Sequence, residues 1–212
     1  MAISLVNNLS MNRSDTAVAN DLWTATSATL SDFQAAGGGL WTKIVTKTAS
    51  ATDADMEFVN GEASVVFDNT YTYYMIQFRD AVPVTDGTKL FCQITTDTSS
   101  TWKTSGYEAS SYESNFNTSL RQSQAGNMFA VQQFSNVATE PACGYVWFNN
   151  PAATKMPNCM YQISTPRSSA SYSTEWSGSG AYVTSGAYDG FKLYFESGNI
   201  TSLTATLYGH GD

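Results

Sequence analysis

Three adjoining segments decide the fold class: Tyr73-Tyr74-Met75-Ile76-Gln77-Phe78-Arg79-Asp80-Ala81-Val82-Pro83-Val84, then Thr85-Asp86-Gly87-Thr88, then Lys89-Leu90-Phe91-Cys92-Gln93-Ile94-Thr95-Thr96. Both flanks are rich in β-branched and aromatic residues, which suit a pleated, half-buried surface. Asp86-Gly87 between them is the dipeptide of a two-residue turn with positive φ, so the spacing predicts a β-hairpin. Outward from this stretch the pattern recurs at Leu40–Val45, Ala63–Phe67, Tyr71–Phe78, Met128–Phe134, Gly144–Phe148, Cys159–Ser164, Phe191–Phe195 and Leu203–Tyr208. Asp189-Gly190 and Ser197-Gly198-Asn199 bracket the penultimate run. About ten short strands with regular turns and no helical period after residue 40 predict an all-β fold, an antiparallel β-sandwich that is jelly-roll-like. No fixed-period repeat is visible.

Residues 1–38 differ from the rest. Their apolar residues (Leu5, Val6, Leu22, Trp23, Leu30, Phe33) are scattered, and Gly37-Gly38-Gly39 follows them. They are either an N-terminal arm with one short helix, joined by a glycine hinge, or a first strand and loop of the same domain. The working division is an arm, 1–38, and a sandwich, 39–212. Thr98–Asn127 and Ser168–Gly186 lack clear alternation and are expected to be long loops, which in compact domains usually carry function or meet a neighbour.

Composition excludes whole classes of function. Of the 212 residues only 13% are charged, and 10 Lys and Arg against 18 Asp and Glu give a net charge of −8. Ser, Thr and Asn supply nearly a third of the chain, a polar but uncharged surface. Ten scattered cations do not make the clustered basic footprint that nucleic acid requires, so no nucleic-acid partner is expected. No apolar run approaches the ~20 residues that span a bilayer, and no membrane association is expected. Ile3-Ser4-Leu5-Val6 is too short for a signal-peptide core, so synthesis in a reducing cytoplasm is expected and the four Asn-x-Ser/Thr sequons, such as Asn199-Ile200-Thr201, carry no weight. Cys92, Cys143 and Cys159 are odd in number without a CxxC spacing, which indicates neither a disulfide framework nor a zinc site.

A catalytic constellation does not emerge. The one histidine, His210, lies between glycines near the C-terminus, without a third group to orient it as a general base. Ser177-Gly178-Ser179-Gly180 has the composition of a flexible turn. Glu108 and Glu113 could in principle flank a glycosidic bond, but solvated loop acids are the favoured reading. Asp53, Asp55 and Glu57 share one face of an extended segment, which fits a solvated edge strand better than a calcium site. No phosphate-cradling glycine loop occurs, and no cofactor or metal is expected. The remaining signal is aromatic: Trp102, Tyr107 and Tyr112 in one expected loop, Trp176 and Tyr182 in the other, placed to anchor a subunit interface or stack on sugar rings, or else to tuck over the sandwich edge.

Several turn and strand signatures resemble a β-sandwich module of tailed-bacteriophage virion proteins. They are Tyr74–Phe78, Pro83-Val84-Thr85-Asp86-Gly87 and Leu90, then Thr95-Thr96-Asp97 with Ser100-Thr101-Trp102, and Val146-Trp147-Phe148-Asn149-Asn150-Pro151. The most specific match is Asp189 to Ile200 with its Ser-Gly-Asn-Ile turn, together with Leu207-Tyr208-Gly209. The resemblance covers roughly Tyr71 to Gly209 and implies a structural role without catalytic residues. It implies a virion-surface protein made in the host bacterial cytoplasm, not an enzyme. The expectation drawn from it is a capsid decoration (cement) protein that grips the major capsid protein through Leu5, Val6, Leu22, Trp23, Leu30 and Phe33 and self-associates, with a trimer the first choice. The alternative is a tail-fibre or adhesin module that binds host surface glycan through the five aromatics named above.

Overall fold

The computed structural model describes residues 41–96, 101–114, 119–124, 126–167 and 172–211, which belong to a compact unit, Gly39–Asp212. Residues 1–40, with the six apolar residues expected to contact a capsid, lie outside the described residues. The described strands are β1 (Trp41–Ser50), β2 (Asp55–Val59), β3 (Tyr73–Pro83), β4 (Thr88–Thr95), β5 (Tyr107–Ser114) and β6 (Ser119–Gln124). They continue as β7 (Phe129–Phe134), β8 (Ala142–Asn149), β9 (Asn158–Arg167), β10 (Tyr172–Tyr182), β11 (Gly190–Phe195) and β12 (Ile200–His210). No helix occurs among the described residues.

The strands form two antiparallel sheets, a long one ordered β1-β12-β3-β8-β9-β10-β5-β6 and a short one ordered β2-β11-β4-β7. With β5, β6, β9 and β10 set aside, eight strands remain. In chain order they run first-eighth-third-sixth in one sheet and second-seventh-fourth-fifth in the other, the order of a jelly roll. The pairs β5-β6 and β9-β10 are insertions, and both extend the same sheet beyond β8. The sandwich follows from period-two alternation. In β12, Leu203, Ala205 and Leu207 are buried between the sheets, while Thr204, Thr206 and Tyr208 turn outward. In β8, Val146 and Phe148 face in and Tyr145 and Trp147 face out.

The Asp86-Gly87 turn does not close a hairpin. β3 belongs to the long sheet and β4 to the short one, so the turn is a corner that carries the chain across the sandwich. Gly87 alone takes a positive φ, of 70°, and its N–H donates to the Phe134 carbonyl at 2.9 Å. Ser197-Gly198-Asn199 is a second such corner, between β11 and β12, and the two corners join. Val84 N–H donates to the Asn199 carbonyl (2.9 Å) and Ser197 N–H to Thr88 Oγ1 (3.1 Å). Ala63–Phe67 is not a strand: Ala63 and Ser64 take left-handed φ of 47° and 68°, although Val65 and Phe67 still bury their side chains. The two expected loops contain strands: 98–127 holds β5 and β6, and 168–186 holds β10.

The core sits between β1, β12, β3 and β8 on one side and the short sheet on the other. At its centre Phe148 of β8 stacks on Phe191 of β11, ring centroids 4.3 Å apart and planes 7° from parallel. Phe67 and Phe58 pack against Phe191 at 5.0 and 5.8 Å. Under the inserted strands the core continues through Tyr107, Tyr161, Ile163 and Trp176 but takes in polar groups: Ser111, Glu113, Thr165 and Thr174 are buried there, and Gln133 of β7 donates to Glu113 Oε1 at 3.2 Å.

Candidate functional site

The five aromatics singled out by sequence do not converge. Tyr107 is a core residue (3% exposed) whose hydroxyl accepts from Ile94 N–H and donates to the Lys103 carbonyl, both at 3.0 Å. Trp176 points inward from β10 and is wholly buried. Neither is a surface contact in this fold, because strand alternation turns both toward the short sheet. Tyr182 is half-buried against Tyr107, ring centroids 5.3 Å apart. Trp102 lies on the other side of the sandwich, bridged to Thr95, with Lys192 Nζ 4.9 Å above its ring. Lys192 also reaches Asp55 Oδ2 at 3.3 Å. Burial, then the Asp55 carboxylate, raises the pKa of Glu57 there, partly offset by Lys192 and the Trp102 indole. Tyr112 alone of the five is exposed, on the outer face of the long sheet.

The candidate acids also separate. Glu113 is not a solvated loop acid: it faces the interior of β5 and is buried, whereas Glu108, on the same strand, faces out. They project from opposite faces and cannot flank one bond as an acid and base pair must. Asp53 accepts hydrogen bonds from Ser50, and Asp55 and Glu57 lie on β2, an edge strand. No cluster of three or more potential metal ligands occurs among the described residues. None of the three cysteines forms a disulfide: Cys92 and Cys159 are buried and burial raises their thiol pKa values, while Cys143 is exposed. No described helix is long and apolar enough to cross a membrane.

Side chains that do converge lie on the outer face of the long sheet. The strand register puts Thr206, Gln77, Tyr145, Gln162, Ser177 and Tyr112 in one cross-strand row. The adjoining row runs Tyr208, Met75, Trp147 and Met160. Trp147 is 40% and Met160 59% exposed. Trp41 brings its ring to 5.8 Å from Trp147 and to 5.1 Å from His210, and Tyr145 lies 6.1 Å from Trp147. On the other flank Arg79, paired with Asp80, and Glu175 face the same way.

Between the row of Thr206, Gln77, Tyr145 and Gln162 and a row of Thr204, Arg79, Cys143, Ser164 and Glu175, on the side away from Trp147, a groove of about 610 Å³ crosses β12, β3, β8, β9 and β10. A hydrogen-bonded relay runs along it: Tyr145 Oη donates to Gln162 Oε1, and Gln162 Nε2 donates to Glu175 Oε1 at 2.7 Å. The Gln162 amide is thereby held in one orientation, with Glu175 positioned to accept further hydrogen bonds. Strand alternation was the available signal for this face. Val146 and Phe148 already fill the core positions of β8, so Tyr145 and Trp147 had to face outward. Gln162 and Glu175 carried none, since they meet only through the β9–β10 pairing. No family model, curated protein or solved structure matches the chain.

Proposed function

We propose that this protein is a structural component of a tailed-bacteriophage virion surface, not an enzyme, with capsid decoration its first assignment. The observation that carries the reading is the eight-stranded jelly-roll order with two insertions that widen a single sheet. This compact body recurs in viral shells and presents one broad, mainly uncharged face to its surroundings. Together with the turn signatures at Asp86-Gly87 and Ser197-Gly198-Asn199, it supports a displayed module whose work is contact. In this reading residues 1–38 grip the major capsid protein, self-association as a trimer follows shell symmetry, and synthesis takes place in the host bacterial cytoplasm. The test is to mix full-length protein with separated phage heads and tails and sediment each. Co-sedimentation with heads, lost on deletion of residues 1–36, is the expected result; binding to tails or host cells alone overturns the head assignment. The exposed Tyr145 and Trp147 favour a second reading, a glycan-binding adhesin module.

A further inference from the structure

We propose that the outer groove of the long sheet is a binding site for a neutral oligosaccharide, with Gln162 and Glu175 as its polar contacts and the Tyr145 ring as its stacking platform. This deepens the adhesin reading and rests on the surface role only in requiring that the face be displayed; it does not depend on head attachment.

Three observations carry the inference. First, the groove combines ring faces with amide and carboxylate groups, the two kinds of contact a pyranose offers: an apolar C–H face for stacking and hydroxyls that both donate and accept. Tyr145 and Trp147 project side by side from β8, 36% and 40% exposed, although large aromatic side chains on an outward strand face serve no core packing. Secondly, the polar groups are already ordered. The Tyr145–Gln162–Glu175 relay fixes the amide before any ligand arrives, which lowers the entropy cost of binding. A volume of about 610 Å³ lies within the ~300–1,000 Å³ of small-ligand clefts.

Thirdly, charge selects among sugars. Arg79 is occupied by Asp80, Glu175 faces the groove, and the chain carries a net −8. An acidic polysaccharide would meet like charge both locally and at long range, whereas neutral hydroxyls suit Gln77, Gln162 and Glu175. The surface is also unlike a protein-binding patch, which centres on a desolvated apolar core. Here the exposed Tyr145 ring borders a trough of Gln77, Gln162, Ser164, Glu175 and Thr206.

Cys143 makes the site testable without disturbing it. It lines the groove and is the exposed thiol, the other two being buried. Full-length protein is run in native gels containing dextran, mannan, galactomannan or xylan, with polygalacturonate as the acidic probe. The rate at which Cys143 reacts with a thiol reagent is then measured with and without each polymer. The proposal expects retardation by at least one neutral polymer and none by polygalacturonate, slowed Cys143 modification with the same polymer, and binding about tenfold weaker in Tyr145→Ala and in Glu175→Ala. Trp102→Ala, on the opposite sheet, keeps full binding. Circular dichroism confirms that each variant is folded; should Tyr145→Ala fail to fold, Tyr145→Phe and the thiol-protection result on the unmodified protein decide.

A panel negative throughout overturns the proposal. So does retardation that leaves Cys143 unprotected, binding to polygalacturonate alone, or a dimer in sedimentation that Tyr145→Ala dissolves, since that would make this face an interface between copies. Head co-sedimentation reads a different segment, so either assay can fail while the other succeeds.

Discussion

Truncation of Phe191 to alanine tests whether the two sheets share one core. Phe191 is fully buried on β11 and touches three rings: Phe148 from the long sheet at 4.3 Å, Phe67 at 5.0 Å and Phe58 at 5.8 Å. Phe191→Ala removes a phenyl group from between the sheets and leaves a cavity whose walls are strands held on both sides, so little collapse is available. Such truncations cost about 3–5 kcal/mol, and the upper half of that range applies where the walls are rigid. Against a domain stability of about 5–15 kcal/mol this is a large fraction, and at roughly 2–4 °C per kcal/mol for a domain of this size it lowers Tm by about 10 °C or more. Urea denaturation followed by tryptophan fluorescence measures the loss as a fall in midpoint at unchanged slope. A double-mutant cycle with Phe148→Ala should return a coupling of about 0.5–1.5 kcal/mol for the stacked pair. A loss below about 1 kcal/mol, or additivity of the two truncations, would refute the claim that this stack joins the sheets.

Two further outcomes follow from the same architecture. Burial raises the Tyr74 and Tyr194 hydroxyls to about 12 and raises Tyr107, Tyr161 and Tyr188 as well. The neutral form is thus favoured in the fold, and its stabilisation is complete below the unfolded value near pH 10 and is lost as pH rises toward about 12. The urea midpoint should therefore be lower at about pH 11 than at about pH 9, with the delayed phenolate absorbance appearing early in denaturant; an unchanged midpoint contradicts the burial. Gly198→Ala should cost about 1–2 kcal/mol, because φ is 75° and the new Cβ would stand 2.6 Å from Thr85 Oγ1. Gly186→Ala, where nothing lies within 4 Å, serves as a control and should stay within about 0.5 kcal/mol by the same urea titration.

The strands that alternate cleanly were legible in sequence. β3, β8, β11 and β12 place aliphatic or aromatic residues at every second position, which is why the sandwich could be expected. The Asp86-Gly87 turn was legible as a turn, but turn chemistry does not encode which sheet the next strand joins. β4 is buried along nearly its whole length, so its run Leu90-Phe91-Cys92-Gln93-Ile94 shows no preferred partner. Of the inserted strands β9 was legible, but β5 and β10 were hidden because, Tyr107 and Trp176 apart, many of their inward positions are polar or small. β5 turns Ser111 and Glu113 inward, and β10 does the same with Gly178 and Gly180. At Gly178 a Cβ would collide with the Ser110 carbonyl and the Tyr161 hydroxyl, and at Gly180 with the Met128 backbone. A Ser-Gly-Ser-Gly run with the composition of a flexible turn is thus the middle of a strand, its glycines set by close approach.

The placement of the groove follows from where the insertions enter. A jelly roll of eight strands would end its long sheet at β8, leaving Tyr145 and Trp147 on an edge with open backbone beside them. The β9–β10 insertion pairs with that edge and brings Gln162 level with Tyr145 and Glu175 level with Cys143, so one wall of the groove comes from the jelly roll and the other from the insertion. The outer face differs accordingly along the sheet. On β1 and β12 it carries Trp41 and Tyr208 at one end and otherwise Thr46, Thr48, Thr204 and Thr206, stiff polar side chains that suit a solvated sheet surface. Across β8 and β9 it carries Tyr145, Trp147 and Met160, which have neither a core to pack nor a polarity suited to water. Insertions that only enlarged the body would be expected to continue the threonine face. Their continuation instead with an ordered amide and carboxylate beside exposed rings is the reason to place recognition at this junction, not at the aromatics of β5 and β10 that turn inward.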